Sequence, residues 1–220
     1  MTTAYAPSLG NLVTSAFGRI GVRPPALTQQ HLQDAYNEAN FLQADWSADG
    51  ITWWTVTLNT QALTQGTATY NVVAGTVSVL DVYINNGSSN RLIMPFSRTD
   101  YASLANPTTQ GFPTSCWWNR VLTPTITLWP VPDGNATYTM QYYTYNQTQD
   151  ATLGSATAPS IPYFWLDAYV AGLAHRLARL YVPAMEQLRA MDAEKAYMRA
   201  CKQVETSPLY VTPGLQGYFN

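Results

Sequence analysis

The sequence predicts an α+β protein: N- and C-terminal helices forming a helical bundle, an inserted antiparallel β-sandwich or small barrel, and an extended C-terminal tail. Three observations carry that reading. Apolar residues recur with the helical period of 3.6 before residue 50 and after residue 160, but with the strand period of 2 in between. The middle stretch is punctuated by Gly66 and by the turn pairs Ala74-Gly75, Asn86-Gly87 and Asp133-Gly134. Residues 205–220 hold two prolines and two glycines and follow neither period. The chain therefore divides into an N-terminal helix pair (1–50), a β-domain (51–150), a C-terminal helix pair completing the helical domain (151–204) and a docking tail (205–220).

In PSLGNLVTSAFGRIGVRPP, Leu9, Leu12, Val13, Ala16, Phe17 and Ile20 fall on one helical face. Pro24 and Pro25 end it, because proline lacks the N–H that a continuing helix needs. A second helix starts near Thr28, whose hydroxyl can accept from a first-turn N–H. Leu32, Ala35, Tyr36, Ala39, Leu42 and Trp46 form its stripe, and Gly50 can close it in the left-handed conformation. His31 sits in its first turn, on the exposed side.

TWWTVTLNT then alternates, with Trp54, Val56 and Leu58 on one side and Trp53, Thr55 and Thr57 on the other. GTATYNVV, TVSVLDVYI, RLIMPF, SCWWNRV, TITLWPV and ATYTMQYYTYN follow as strands, rich in the β-branched and aromatic residues that suit a pleated surface. SRTDYASLA reads as a short helix, with Ser97 and Asp100 spaced as a capping box. DATLGSATAPS is a connector. Pro162 opens the helix in YFWLDAYVAGLAHRLARLY, where its missing N–H costs nothing. Pro183 breaks that helix, and a last one runs from about Ala184 to Val204. Its apolar stripe is Ala190, Ala193, Tyr197, Ala200, Cys201 and Val204, opposite a mixed-sign face.

Hydrophobic residues make up 46% of the chain and charged residues only 11%, against about 25% in an ordinary soluble domain. Thr, Asn, Gln, Ser and Tyr must wet the surface instead. Two readings follow: a β-domain with a neutral polar skin, or partner-facing surfaces, which are depleted in charge and enriched in aromatics. The net charge of −2 gives no basic face for gripping phosphates, which argues against direct DNA binding. MTTAYAPSLG lacks the basic start and apolar run of a secretory signal, and no run approaches the ~20 residues that span a bilayer. The expectation is folding in a cytosol without membrane contact. Cys116 and Cys201 share no motif and read as reduced core residues.

The residues offer little for catalysis. His31 and His175 are the only histidines, and no H-x-x-x-H, C-x-x-C, Walker loop or G-x-S-x-G is present. No catalytic, cofactor-binding or metal-binding set is expected, and no cofactor. A Cys116–His175 dyad is the weakest alternative. Asp45 and Asp49, with Asp167, are the carboxylates a sugar hydrolase would need. Against that, the first two flank a helix end and Asp167 lies in a first turn, where the helix dipole favours an acid.

The helix after Pro162 is apolar nearly all round for three turns, so it is buried, either at the centre of the domain or against a second subunit. Arg176 and Arg179 sit near its C-terminus, where positive charge complements the dipole. They can equally pair with acids of a neighbouring protomer. Trp53 and Trp54 are the other inter-subunit candidates. Successive side chains of a strand alternate, so only one of the two can enter the sheet core. The tail carries Leu209, Tyr210, Val211, Leu215, Tyr218 and Phe219, residues in which disordered tails are depleted, so it should dock.

The order of LQADWSADGI, LTQGTATYNV, ITLWPVPDGNATYTMQYYTY and IPYFWLDAYVAGLAHRLA resembles the head-to-tail adaptor, or tail accessory factor, family of short-tailed bacteriophages, also called head-completion or packaged-DNA-stabilisation proteins. The likeness covers roughly Leu9 to Gln203 and lies in the shared order of degenerate motifs. It implies a virion structural protein without an active site, assembled in the host cytoplasm and located at the head–tail junction. It further implies a cyclic homo-oligomer, a ring of twelve beneath the portal protein. That ring would extend the DNA channel, retain packaged DNA without specific binding, and give downstream nozzle, fibre or needle proteins their platform. The tail residues would reach the portal or a neighbouring protomer. The alternative is a virion-associated cell-wall (peptidoglycan) hydrolase. A tail-fibre-like carbohydrate-binding module suits the β segment but leaves the flanking helices unexplained.

Overall fold

The computed structural model describes residues 5–148, 151 and 160–204. In chain order the elements are α1 (Leu9–Arg19), α2 (Gln29–Ala48), β1 (Val56–Ala62), β2 (Thr69–Asn71), β3 (Thr76–Asn85), β4 (Asn90–Leu92) and β5 (Met94–Phe96). There follow α3 (Arg98–Ala102), β6 (Gln110–Gly111), β7 (Ser115–Asn119), β8 (Thr125–Trp129), β9 (Val131–Pro132), β10 (Thr139–Asn146), α4 (Leu166–Tyr181) and α5 (Glu186–Val204). The fold is α+β. The chain forms two compact units, one drawn from the chain up to Gln43 and from Asp150 onward, the other from Ala44–Gln149.

The helices begin and end where side chains or glycine satisfy their free backbone groups. Ser8 caps α1 by accepting from Asn11 N–H at 3.3 Å. At α2, Thr28 Oγ1 accepts from His31 N–H at 3.3 Å while His31 Nδ1 accepts from Thr28 N–H at 3.1 Å. This is a reciprocal cap with histidine in the place usually held by Glu or Gln. It draws the imidazole inward, 4.5 Å from the Tyr181 ring and 5.7 Å from Phe17, so His31 is half-buried, not on the exposed side. At the other end Gly50, at φ +72, lets its N–H reach the Ser47 carbonyl and Ile51 N–H reach that of Trp46. Those two bonds are the Schellman closure of a helix.

In the helical unit α4 is the hub. Nine of its residues are buried, among them Leu166, Tyr169, Leu173 and Leu177, and α1 and α5 pack against it. Gly172 brings α2 close: a Cβ there would lie 3.1 Å from both methyl carbons of Leu42. The helix is therefore buried within its own chain, by the central-helix route. Trp165, in a single 3-10 turn after Pro162, is fully buried and meets the Tyr197 ring of α5 edge-on at 5.8 Å.

The β unit has two four-stranded sheets, β1-β10-β3-β4 and β2-β8-β7-β5, and the small pair β6-β9. Their inner faces share one core: Val82, Ile84, Met140 and Tyr142 from the first sheet, Tyr70, Cys116, Ile126 and Leu128 from the second. Tyr145 ties the entry to this unit. Its hydroxyl meets the hydroxyl of buried Thr52, accepts from Thr52 N–H at 3.0 Å and donates to the Ser47 carbonyl at 3.3 Å. Tyr145→Phe should cost about 1–3 kcal/mol in urea unfolding, because it strands a buried N–H without removing packing volume. Combined with Thr52→Ala, the loss should be less than the sum of the two.

Three expectations about the strands are corrected. Trp53 and Trp54 lie in a 3-10 turn, Trp53–Thr55, and the strand begins only at Val56, so strand alternation does not govern the two rings. RLIMPF is two strands: the buried Ile93 is the crossing point where the chain leaves the first sheet for the second. TITLWPV is likewise divided at Pro130 between β8 and β9. Within the otherwise antiparallel β unit the short pairs β5 with β7 and β6 with β9 run parallel.

Candidate assembly surface

β1 is turned inside out relative to its composition. Asn59, opposite the buried Tyr142, points inward and donates to Thr144 Oγ1 at 2.7 Å. Thr57 Oγ1 lies 3.1 Å from the same hydroxyl. Thr144 is fully buried, and these polar neighbours satisfy it where an aliphatic strand could not. Leu58 of β1 points outward as a result: it is 51% exposed and stands directly across from Tyr143, itself 37% exposed.

From that pair an apolar row crosses the outer face of the first sheet. The Tyr143 ring meets Tyr83 of β3 at 6.4 Å, and Tyr83 is paired with Leu92 of β4, which is 53% exposed. Leu58, Tyr143, Tyr83 and Leu92 thus place one side chain from each of the sheet's four strands in a single stripe. Trp53, 56% exposed, precedes β1 with its ring edge-on to Tyr145 at 6.4 Å. Clustered exposed apolar side chains are candidates for contact with another molecule, whereas single ones are ordinary.

Of the residues the sequence singles out, Trp53 lies exposed beside this surface and Trp54 is half-buried. Arg176 and Arg179 meet acids of their own chain, Glu38 at 3.2 Å and Glu186 at 3.1 Å. Leu209, Tyr210, Val211, Leu215, Tyr218 and Phe219 lie outside the described residues. The stripe itself escaped the sequence reading. Its signal was Leu58 and Tyr143 within otherwise polar runs, visible only once β1 and β10 are in register.

Burial perturbs Cys116 and His175, and Asp167 has a charged neighbour. Burial pushes the Cys116 thiol up to about 12, so at neutral pH it is not a thiolate. Burial and then the neighbouring Arg179 charge hold His175 below the usual histidine range. Asp167 is paired with Arg19. Asp45 and Asp49 are exposed on the last turns of α2 and beyond it. Among the described residues no cluster of His, Cys, Asp and Glu has the makings of a metal site, and no helix is long and apolar enough to cross a membrane. A cleft of about 300 Å³ in the β unit is lined by Val79, Leu92, Met94 and Trp118, with Asp81 and Arg120 its charged groups. The Arg120 guanidinium lies 4.4 Å from the Trp118 ring centre, a cation–π contact.

No curated protein matches the chain. The family model described as SU10 adaptor protein matches it over residues 7–214, through both units and into the tail. That match spans nearly the whole chain, and the chain belongs to the SU10 adaptor protein family.

Proposed function

We propose that the chain is a bacteriophage virion structural protein, the protomer of a head-to-tail adaptor ring beneath the portal. Twelve copies extend the DNA channel, retain the packaged DNA and carry the attachment platform for the nozzle, fibre or needle proteins of the tail. Family membership over residues 7–214 is the observation that carries this reading. The apolar stripe on the first sheet supports it, since an assembling protomer needs such a surface and a solitary one does not. The low charge supports it too: a conduit with a net charge of −2 has no strong hold on the DNA passing through it. In this reading the helical domain (1–50 with 151–204) and the inserted β-domain (51–150) both contribute ring contacts. The tail residues Leu209, Tyr210, Val211, Leu215, Tyr218 and Phe219 reach the portal or a neighbouring copy.

A cyclic ring is built from heterologous contacts, in which one face of each protomer meets a different face of the next. Trp53 is the strongest single candidate for such a face. Interface tryptophans cost about 2 kcal/mol or more when truncated, roughly thirtyfold in affinity. Trp53→Ala should therefore weaken ring formation on the portal at least about tenfold. An exposed substitution usually shifts stability by no more than about 0.5 kcal/mol, so Tm should stay within about 2 °C. Negative-stain images of the protein with and without purified portal, paired with a thermal melt, check both statements. Absence of any ring on the portal would end the reading, and equal losses of stability and assembly would remove Trp53 from the interface.

A further inference from the structure

An edge strand offers a row of unpaired N–H and C=O groups to any extended chain, and proteins commonly blunt such edges with charge, proline, bulges or shortness. Three of the four edges of the large sheets are blunted in this way. β2 and β4 have three residues each, with Arg91 in β4, and β5 carries Pro95. The part of β3 that β4 leaves uncovered contains two register shifts and Asp81. β1 has none of these devices. It runs seven residues, VTLNTQA, without a charge or a proline, and its register with β10 is unbroken from Val56 to Ala62. Its other side has no strand partner among the described residues.

The direction of its free groups follows from the ladder. Leu63 N–H donates to the Tyr138 carbonyl at 2.9 Å, so by strand alternation Asn59 and Gln61 bond toward β10. The backbone groups of Leu58 and Thr60 point away from it.

We propose that the β1 edge accepts residues Leu209–Thr212 of a second copy as an added strand. The inference rests on the adaptor-ring reading. A β1–β1 pairing between two copies is isologous and closes at a dimer, whereas a ring needs a different segment on the donating side. The tail supplies one. LYVT is a β-prone run bracketed by Pro208 and Pro213, which limit it to four residues, and nothing from Thr206 to Asn220 carries a charged side chain. An uncharged strand meets an uncharged edge. Leu209 and Val211 fall on one face of the added strand, beside the outward Leu58, and so lengthen the apolar stripe. Tyr210 falls on the other, beside Asn59 and Gln61.

The test uses the full chain carrying Leu209→Asp and Val211→Asp as acceptor and a fluorescent peptide of residues 205–220 as donor, read by polarisation. The peptide should bind. Thr60→Pro in the acceptor should weaken binding at least tenfold with little change in Tm, since it removes an N–H that β10 does not use. N-methylation of the peptide at either Tyr210 or Val211, but not both positions alike, should do the same, because adjacent amides of a strand point to opposite sides. These arms do not depend on each other, so misfolding of one variant leaves the other decisive. Failure to bind, indifference to Thr60→Pro in a folded acceptor, or equal sensitivity at both amides overturns the proposal. So does a dimer of the free protein that persists in the tail-substituted chain, which would assign the edge to β1 itself. If rings still form on the portal in any of those cases, the adaptor reading stands and only the docking site falls.

Discussion

Replacing Trp165 with alanine is expected to remove about 3–5 kcal/mol from the stability of the helical unit, the range for emptying a buried aromatic site. The ring is fully buried at the head of α4, and it contacts Phe164 and the edge of Tyr197. The edge-on contact adds about 0.5–1.5 kcal/mol beyond burial. Domains of this kind are stable by about 5–15 kcal/mol, so one substitution removes about a fifth or more of the total. Urea unfolding followed by far-ultraviolet circular dichroism should show the helical signal lost at much lower denaturant. Trp165→Phe, which keeps much of the volume, should recover over half of the loss. A decrease below about 1 kcal/mol for the alanine variant would mean that α4 and α5 are not held together at this point.

Ending the chain after Val204 is the second large effect. In the proposed adaptor residues 205–220 serve docking and not the core, so the shortened protein should melt near the temperature of the full chain. Assembly should respond differently. In the proposed ring each copy contributes one tail contact, and engaging linked contacts together gains about 10²–10⁴ over one alone, so losing every tail should remove a factor of that order. Infectious particles complemented by the shortened protein should fall by about that factor, while heads still fill with DNA. The measurement is a plaque count beside electron micrographs of heads. Normal titres would free the tail from any role in joining heads to tails, and an unfolded shortened protein would make it part of the fold.

Local rules made much of the architecture legible. The stripe Leu9, Leu12, Val13, Ala16 and Phe17 is the buried face of α1, and Ser97 with Asp100 forms a complete capping box at α3. Gly50 closes α2 by the route its position predicts. Each of these depends on residues a turn or less apart. The misreadings have the opposite character. Trp53 and Trp54 looked like strand residues because aromatic residues favour strands, yet among the described residues no strand pairs with them and the backbone takes a 3-10 turn. RLIMPF looked like one strand because its composition is uniform. The change of partner at Ile93 is set by where β3 and β7 lie, and both are distant in sequence from at least one half of the run.

Period, caps and turn residues determined on their own that this is an α+β chain with strands inserted between helices, and the order of its degenerate motifs pointed to a phage adaptor family. Those properties are short-range, written in neighbours that meet whatever the rest of the chain does. The sidedness of β1 is different. Thr144, buried and polar, takes Asn59 and Thr57 as partners and so turns Leu58 outward. An alternating strand has two faces, and only its pairing with a strand more than eighty residues away selects which of them meets water.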